Sequence, residues 1–207
     1  MNSGHCAREN LQNLFDKAFI SGNNNNLREY YRQLRSMELT HTHTRKSEYI
    51  NISSLIENIT LACDILISGT GISFVFCGNE TSHIRGNSKE ITKAILNLLS
   101  NAYLYSSGKL ITIKAIEIAE YIKIEIKNEG SFCCEKYGRG LSFVQKLCTQ
   151  LGGAFFVETD LFSTTAIMLM KKAPTTDCKG FNSPDFYEYL NDRLSPVYIE
   201  MFGMEYH

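Results

Sequence analysis

"AILNLLSNAYLYS", residues 94–106, is an apolar run with two asparagines set into it, and its reading decides the fold. As a helix it is buried, because Ile95, Leu96, Leu98 and Leu99 leave little of its circumference polar. Asn97 and Asn101 stand four residues apart and project from one face, one turn above the other. Two amides on a buried helix face usually bond to neighbouring backbone. What lies downstream points to another use for these two.

The surrounding chain is that of an ordinary soluble globular protein: 207 residues, 43% hydrophobic, 21% charged, net charge -1. That length holds one sizeable domain with an accessory element, or two small domains. Lys and Arg are spread along the chain, so the charge does not argue for nucleic acid or an anionic membrane. No apolar run approaches the ~20 residues that span a bilayer, and the start "MNSGHCAREN" does not read as a signal peptide, so a cytoplasmic location is expected. The seven cysteines are odd in number and form no Cys-x-x-Cys pair, which favours reduced thiols over a disulfide frame or a zinc site. His41 and His43 in "HTHT" have no cysteine or carboxylate close by and read as a solvated helix end.

Residues 1–48 read as a helical hairpin: "HCARENLQNLFDKAFI" and "LREYYRQLRSMEL" flank the turn-forming "SGNNNN". It is too small to bury its apolar stripes alone, so it should dimerise or dock. Over residues 49–173 the pattern is helix, two strands, helix, hairpin, helix, hairpin. "ISSLIENITLACDILI" is a helix with Ser53 or Ser54 as its cap, followed by strands in "GISFVF" and "SHIRG". The helix bearing the two amides has Asn87 or Ser88 as cap and Glu90 in its first turn. "KLITIKAIEI" and "YIKIEIKNE" alternate as half-buried strands with only "AE" between them. "GRGLSFVQKLCTQLGG" is a helix, and "AFFVET" with "TTAIMLMKK" a second hairpin. The expected fold is α+β, a two-layer α/β sandwich of mixed, mostly antiparallel sheet with three helices on one face, behind an α-helical hairpin. Residues 174–207 form a C-terminal extension with a short helix in "SPDFYEYLNDRL", Pro184 at its first turn, and an aromatic tail.

The order "NLLSNAYLYS", "IKNEG", "GRGL", "GG…TT" resembles the nucleotide-binding domain shared by gyrase, heat-shock chaperone, histidine kinase and mismatch-repair ATPases. Within that group it is most similar to the catalytic domain of sensor histidine kinases, a Bergerat-type ATP-binding fold. The resemblance implies ATP and Mg²⁺ as cofactors, with Asn101 as magnesium ligand and Asn97 supporting the metal or the phosphate network. An amide oxygen suits Mg²⁺ without adding charge beside the phosphates. Tyr105 falls where the family sets an aromatic against adenine. Gly130, Gly138, Arg139, Gly140, Leu141, Thr164 and Thr165 complete the implied ATP site. "GRGL" opens a helix whose N–H groups suit phosphate, with Arg139 adding charge. The chain also departs from the pattern. Asn128 replaces the adenine-reading aspartate, Phe132 and Ser142 replace glycines, and Leu104 replaces a lysine. Only seven residues, Ser131 to Tyr137, stand in place of the usual long lid.

"HCARENL" places His5, Arg8 and Leu11 where the phosphoacceptor box has its His, Arg and Leu, with Cys6 and Asn10 at its acidic and proline positions. The resemblance thus implies an ATP-dependent protein-histidine kinase of two-component signalling: a homodimer through its N-terminal helices, with His5 as acceptor and a response regulator as partner. Alternatives are a non-catalytic phosphorelay or docking protein of the same fold, an ATP-dependent switch that sequesters a partner, and a purely structural origin for the boxes.

Overall fold

In this computed structural model, residues 29–35, 47–78, 83–130, 138–174 and 184–203 are described. The helical hairpin expected over 1–48 lies outside them except for a helical stretch, α1 (29–35), and Ser47 and Glu48; His5, His41 and His43 lie outside as well.

The elements that follow are β1 (Glu48–Asn51), α2 (Ile52–Leu66), β2 (Ser73–Cys77), β3 (His83–Gly86), α3 (Ser88–Leu104), β4 (Leu110–Ile118), β5 (Tyr121–Glu129), α4 (Arg139–Gln150), β6 (Ala154–Thr159), β7 (Ser163–Lys171), α5 (Phe186–Asn191) and α6 (Pro196–Phe202). Five strands form one mixed sheet in the order β2-β4-β5-β7-β6, parallel at β2–β4 and antiparallel elsewhere. The chain turns from β4 into β5 through Ala119 and Glu120, with Ala119 at φ 51, as a two-residue hairpin requires. Alternation sends Ile111, Ile113, Ile122, Ile124 and Ile126 to the covered face, where α2, α3 and α4 pack on them. This is the expected α+β architecture.

Several local details differ from the sequence reading. The strands 73–77 and 83–86 do not pair with each other. β2 joins the main sheet, whereas β3 pairs antiparallel with β1, a strand that the sequence pattern did not reveal. The α2 cap is Asn51, whose side chain accepts from Ser54 N at 3.1 Å, so Ser53 and Ser54 lie inside the first turn. Asn87 caps α3 as expected, accepting from Lys89 N and Glu90 N. Pro184, expected in the first turn of this helix, lies before it: α5 starts at Phe186 with Asp185 as its N-cap, and a further helix, α6, follows.

The C-terminal helices complete the core. α5 packs on α2, and α6 packs on α2 and α3, burying Tyr189, Val197 and Met201 in the main cluster. A partial third layer thus covers the helices from behind. It also explains why α3 is apolar nearly all round: sheet lies on one side, α6 on the other.

Burial leaves a titration signature. It raises the Cys148 thiol from 9.0 to about 12 and the Tyr189 hydroxyl from 10.0 to about 12, and pushes the Cys63 thiol up as well. These groups hold their protons more tightly folded than unfolded. Their contribution to stability is therefore complete below pH 9 and declines as pH rises towards 12. Denaturant midpoints should fall steadily between pH 9 and pH 11. A flat profile across that window would contradict this burial. Cys77, the exposed free thiol among the described residues, should alkylate in the folded protein at pH 8 while Cys63 and Cys148 do not.

Candidate nucleotide site

One pocket opens where α3, α4 and the inner faces of β5, β6 and β7 meet. Leu98, Asn101, Ala102 and Tyr105 line it from α3 at helical spacing i, i+3, i+4, i+7. Ile126 and Asn128 line it from β5, Thr164 and Ala166 from β7, with Val157 and Leu141 closing the sides. The walls are apolar apart from Asn101, Tyr105, Asn128 and Thr164, and the cavity measures about 30 Å³, room for a water or two.

The polar groups are held by the backbone around them. Asn128 is buried, and its Nδ2 donates to Tyr105 O at 3.4 Å and Glu129 O at 3.2 Å. Two carbonyl acceptors fix the amide orientation, so Oδ1 is the atom left to accept from a ligand. Gly130 makes this corner possible. It sits at φ 121, and a Cβ there would stand 2.4 Å from Tyr105 O. Its N–H donates to Phe162 O at 2.8 Å, and its carbonyl accepts from Thr164 Oγ1 at 2.9 Å. The "NEG" sequence thus ties the end of α3, the end of β5 and the start of β7 into one rim.

The two helix asparagines differ in their surroundings. Asn97 is buried, with Nδ2 donating to Lys93 O at 3.0 Å and Oδ1 turned toward α4, where a Cβ on Gly140 would lie 2.8 Å away. Gly140 is therefore a close-approach glycine, whereas a Cβ on Gly138 would meet nothing within 4 Å. Asn101 is half-buried on the pocket wall, and its amide makes no hydrogen bond with a described residue. Gly138 caps α4 without a side-chain bond, and Ser142 N returns to Gly138 O at 3.0 Å. The first N–H groups of α4, at Arg139, Gly140 and Leu141, thus begin the helix with no side-chain acceptor, next to Asn97. Leu141 is buried in the pocket and anchors that turn, while Arg139 is exposed.

The structure therefore gathers Asn97, Asn101, Tyr105, Asn128, Gly130, Gly140, Leu141 and Thr164, with Gly138 and Arg139 at the start of α4. It sends Thr165 elsewhere. Thr164 pairs with Asn128 on the covered face, and strand alternation turns Thr165 to the opposite face beside Lys127. Phe132 and the segment standing in for the lid lie outside the described residues. Leu98, Ala102, Ile126, Val157 and Ala166 were missed as lining residues, though the i, i+3, i+4, i+7 spacing on α3 and the alternation on β5 and β7 could have found them. Among the described residues no group of three His, Cys, Asp or Glu could hold a metal ion. Asn101 can offer one neutral oxygen, which suits a magnesium ion ligated chiefly by phosphates and water.

No protein-family model matches the sequence, and no curated protein matches it. Solved structures do. The catalytic domain of histidine kinase ThkA, in a nucleotide-free form, superposes with a TM-score of 0.55 at 21% identity, covering 62% of this chain and 99% of that one. ThkA in complex with the response regulator protein TrrA gives 0.60 at 20% identity over 77% of this chain and 52% of that one. Full-length ShkA in complex with AMPPNP gives 0.61 at 15% identity over 78% and 39%. The chain has the fold of histidine kinase catalytic domains. No helix among the described residues is long and apolar enough to cross a membrane.

Proposed function

We propose that this chain binds Mg·ATP in the α3–α4–β5 pocket and acts as a histidine-kinase-like signalling protein, transferring the terminal phosphoryl group to His5 and from there to a response-regulator aspartate. One observation carries the reading: Asn128 Oδ1 and the Asn101 amide converge on a single apolar pocket with hydrogen-bonding capacity unspent on described residues, beside a helix start without a side-chain cap.

Each residue has a role under this reading. Asn128 Oδ1 accepts from the adenine amino group, and Tyr105, Leu98 and Val157 enclose the ring. The first turn of α4 receives phosphate oxygens through its N–H groups, and Arg139 adds a charge-assisted contact. Asn101 contributes an oxygen to magnesium, and Asn97 holds the α4 turn in register by packing on Gly140. Magnesium, when bound, offsets phosphate charge. The fold shared with ShkA, whose structure holds AMPPNP, supports the nucleotide, and that shared with ThkA, solved with TrrA, supports the regulator as partner. Dimerisation through the N-terminal helices and a cytoplasmic location belong to the same proposal.

The narrow interior of the pocket, about 30 Å³, favours a second reading, a phosphorelay or docking protein that keeps the fold without the nucleotide. Calorimetric titration with AMPPNP, with and without Mg²⁺, separates the two. Magnesium-dependent binding supports the kinase-like reading. No heat at millimolar analogue removes it and leaves the relay.

A further inference from the structure

Glu200 lies outside the pocket, yet it is the most connected buried carboxylate among the described residues. It is 7% exposed and sits on α6. Arg35 of α1 donates to it with two arms, Nε to Oε2 at 2.9 Å and Nη2 to Oε1 at 2.6 Å. Ser100 of α3 donates to the same Oε1 at 2.6 Å, and its Oγ also lies 3.1 Å from Asn97 O. One carboxylate therefore joins the N-terminal helix, the C-terminal helix and the helix that carries both pocket asparagines.

The packing around it is divided in the same way. α6 presents Val197 and Met201, four residues apart, to the main core. It presents Tyr198 and Phe202, also four apart, to α1. There Tyr31 meets Tyr198 at 6.3 Å and Phe202 at 5.8 Å between ring centroids, and its hydroxyl donates to Arg193 O at 3.1 Å. Tyr30, Tyr31 and Ile199 form a small cluster separate from the main core. The backbones also close up, since a Cβ on Gly203 would stand 2.8 Å from Tyr31 O.

We propose that residues 184–203 are a latch that holds α1 against the rear of α3, with Glu200 as its joint. The described part of α1 takes its packing from this one cluster and its charge pairing from Glu200. The apolar contact is small, and a buried ion pair fixes register more than it adds net stability. The latch therefore opens as a local unit, releasing α1 while the sheet stays folded. The inference does not depend on nucleotide binding.

Hydrogen exchange read by mass spectrometry on the full chain, without nucleotide, tests it. The wild type should show protection in 29–35. Glu200→Gln keeps the shape and removes the charge; amides of 29–35 and 196–203 should then exchange at least about tenfold faster while β4, β5 and β7 are unchanged. If Glu200→Gln does not fold, Arg35→Met, which changes a partly exposed side chain, is read the same way. Unprotected 29–35 in the wild type, or protection there unaltered by the variant read, overturns the proposal. So does a loss of protection shared equally by the sheet strands, which would make the joint an ordinary core contact.

Discussion

Asn101→Ala is expected to weaken magnesium-dependent AMPPNP binding by roughly 10- to 100-fold, the loss of about 1.5–3 kcal/mol that attends removal of a hydrogen-bonding or ligating group from a charged site. The folded state should not notice the change. Asn101 is half-buried, its amide makes no bond with a described residue, and alanine is the better helix former. Circular dichroism and the denaturant midpoint should therefore match or slightly exceed wild type while calorimetry loses the magnesium-dependent heat. Asn128 is the less clean target, because truncating it also strips two carbonyls of their donor at the rim. If Asn101→Ala binds the analogue as well as wild type in magnesium, Asn101 does not serve the metal, and the ligand set assigned here is wrong.

Gly153→Ala should be the most damaging glycine-to-alanine change among the described residues. Its Cβ would stand 1.9 Å from Leu169 O and 2.5 Å from Leu169 C. Both are backbone atoms of β7, locked by the pairing of Ala154 with Leu169. No side chain can rotate away, so either the β6–β7 register or the turn after α4 must yield. We expect a loss of about 3 kcal/mol or more, the upper range for overpacking, read as a lower urea midpoint and a lower soluble yield. Gly138→Ala, where the added carbon meets nothing within 4 Å, is the control and should cost no more than about 1 kcal/mol. An unchanged midpoint for Gly153→Ala would mean that the turn relaxes freely and that the close approach is not a constraint.

The two glycines after α4 mark how far sequence reading goes. Gly152 ends the helix at φ 72, a local need that "GG" after a helical pattern announces. Gly153 is required by a strand that arrives sixteen residues later, and nothing local reveals it. Thr164 and Thr165 show the same division. "TT" after "GG" marked the region, but the facing of each residue was fixed only by pairing with Asn128 and Lys127. The strand of Glu48–Asn51 escaped notice because four residues carry too little alternation, and its partner lies beyond a whole helix. The aromatic tail offered no periodicity long enough to read, yet it supplies α6, Glu200 and the rear cover of α3.

By itself the sequence determined the elements whose periodicity and caps are local: α2, α3 and α4, the two long hairpins, and the pair of asparagines on one helix face. Those follow from backbone geometry and side-chain spacing, which act within a few residues. Only the tertiary structure decided which faces meet: Asn128 turned by two carbonyls, Gly140 against Asn97, and Arg35, Ser100 and Glu200 drawn together across 165 positions of chain. Such contacts depend on packing that closes a long loop, and its cost and reward are invisible in any short window of residues.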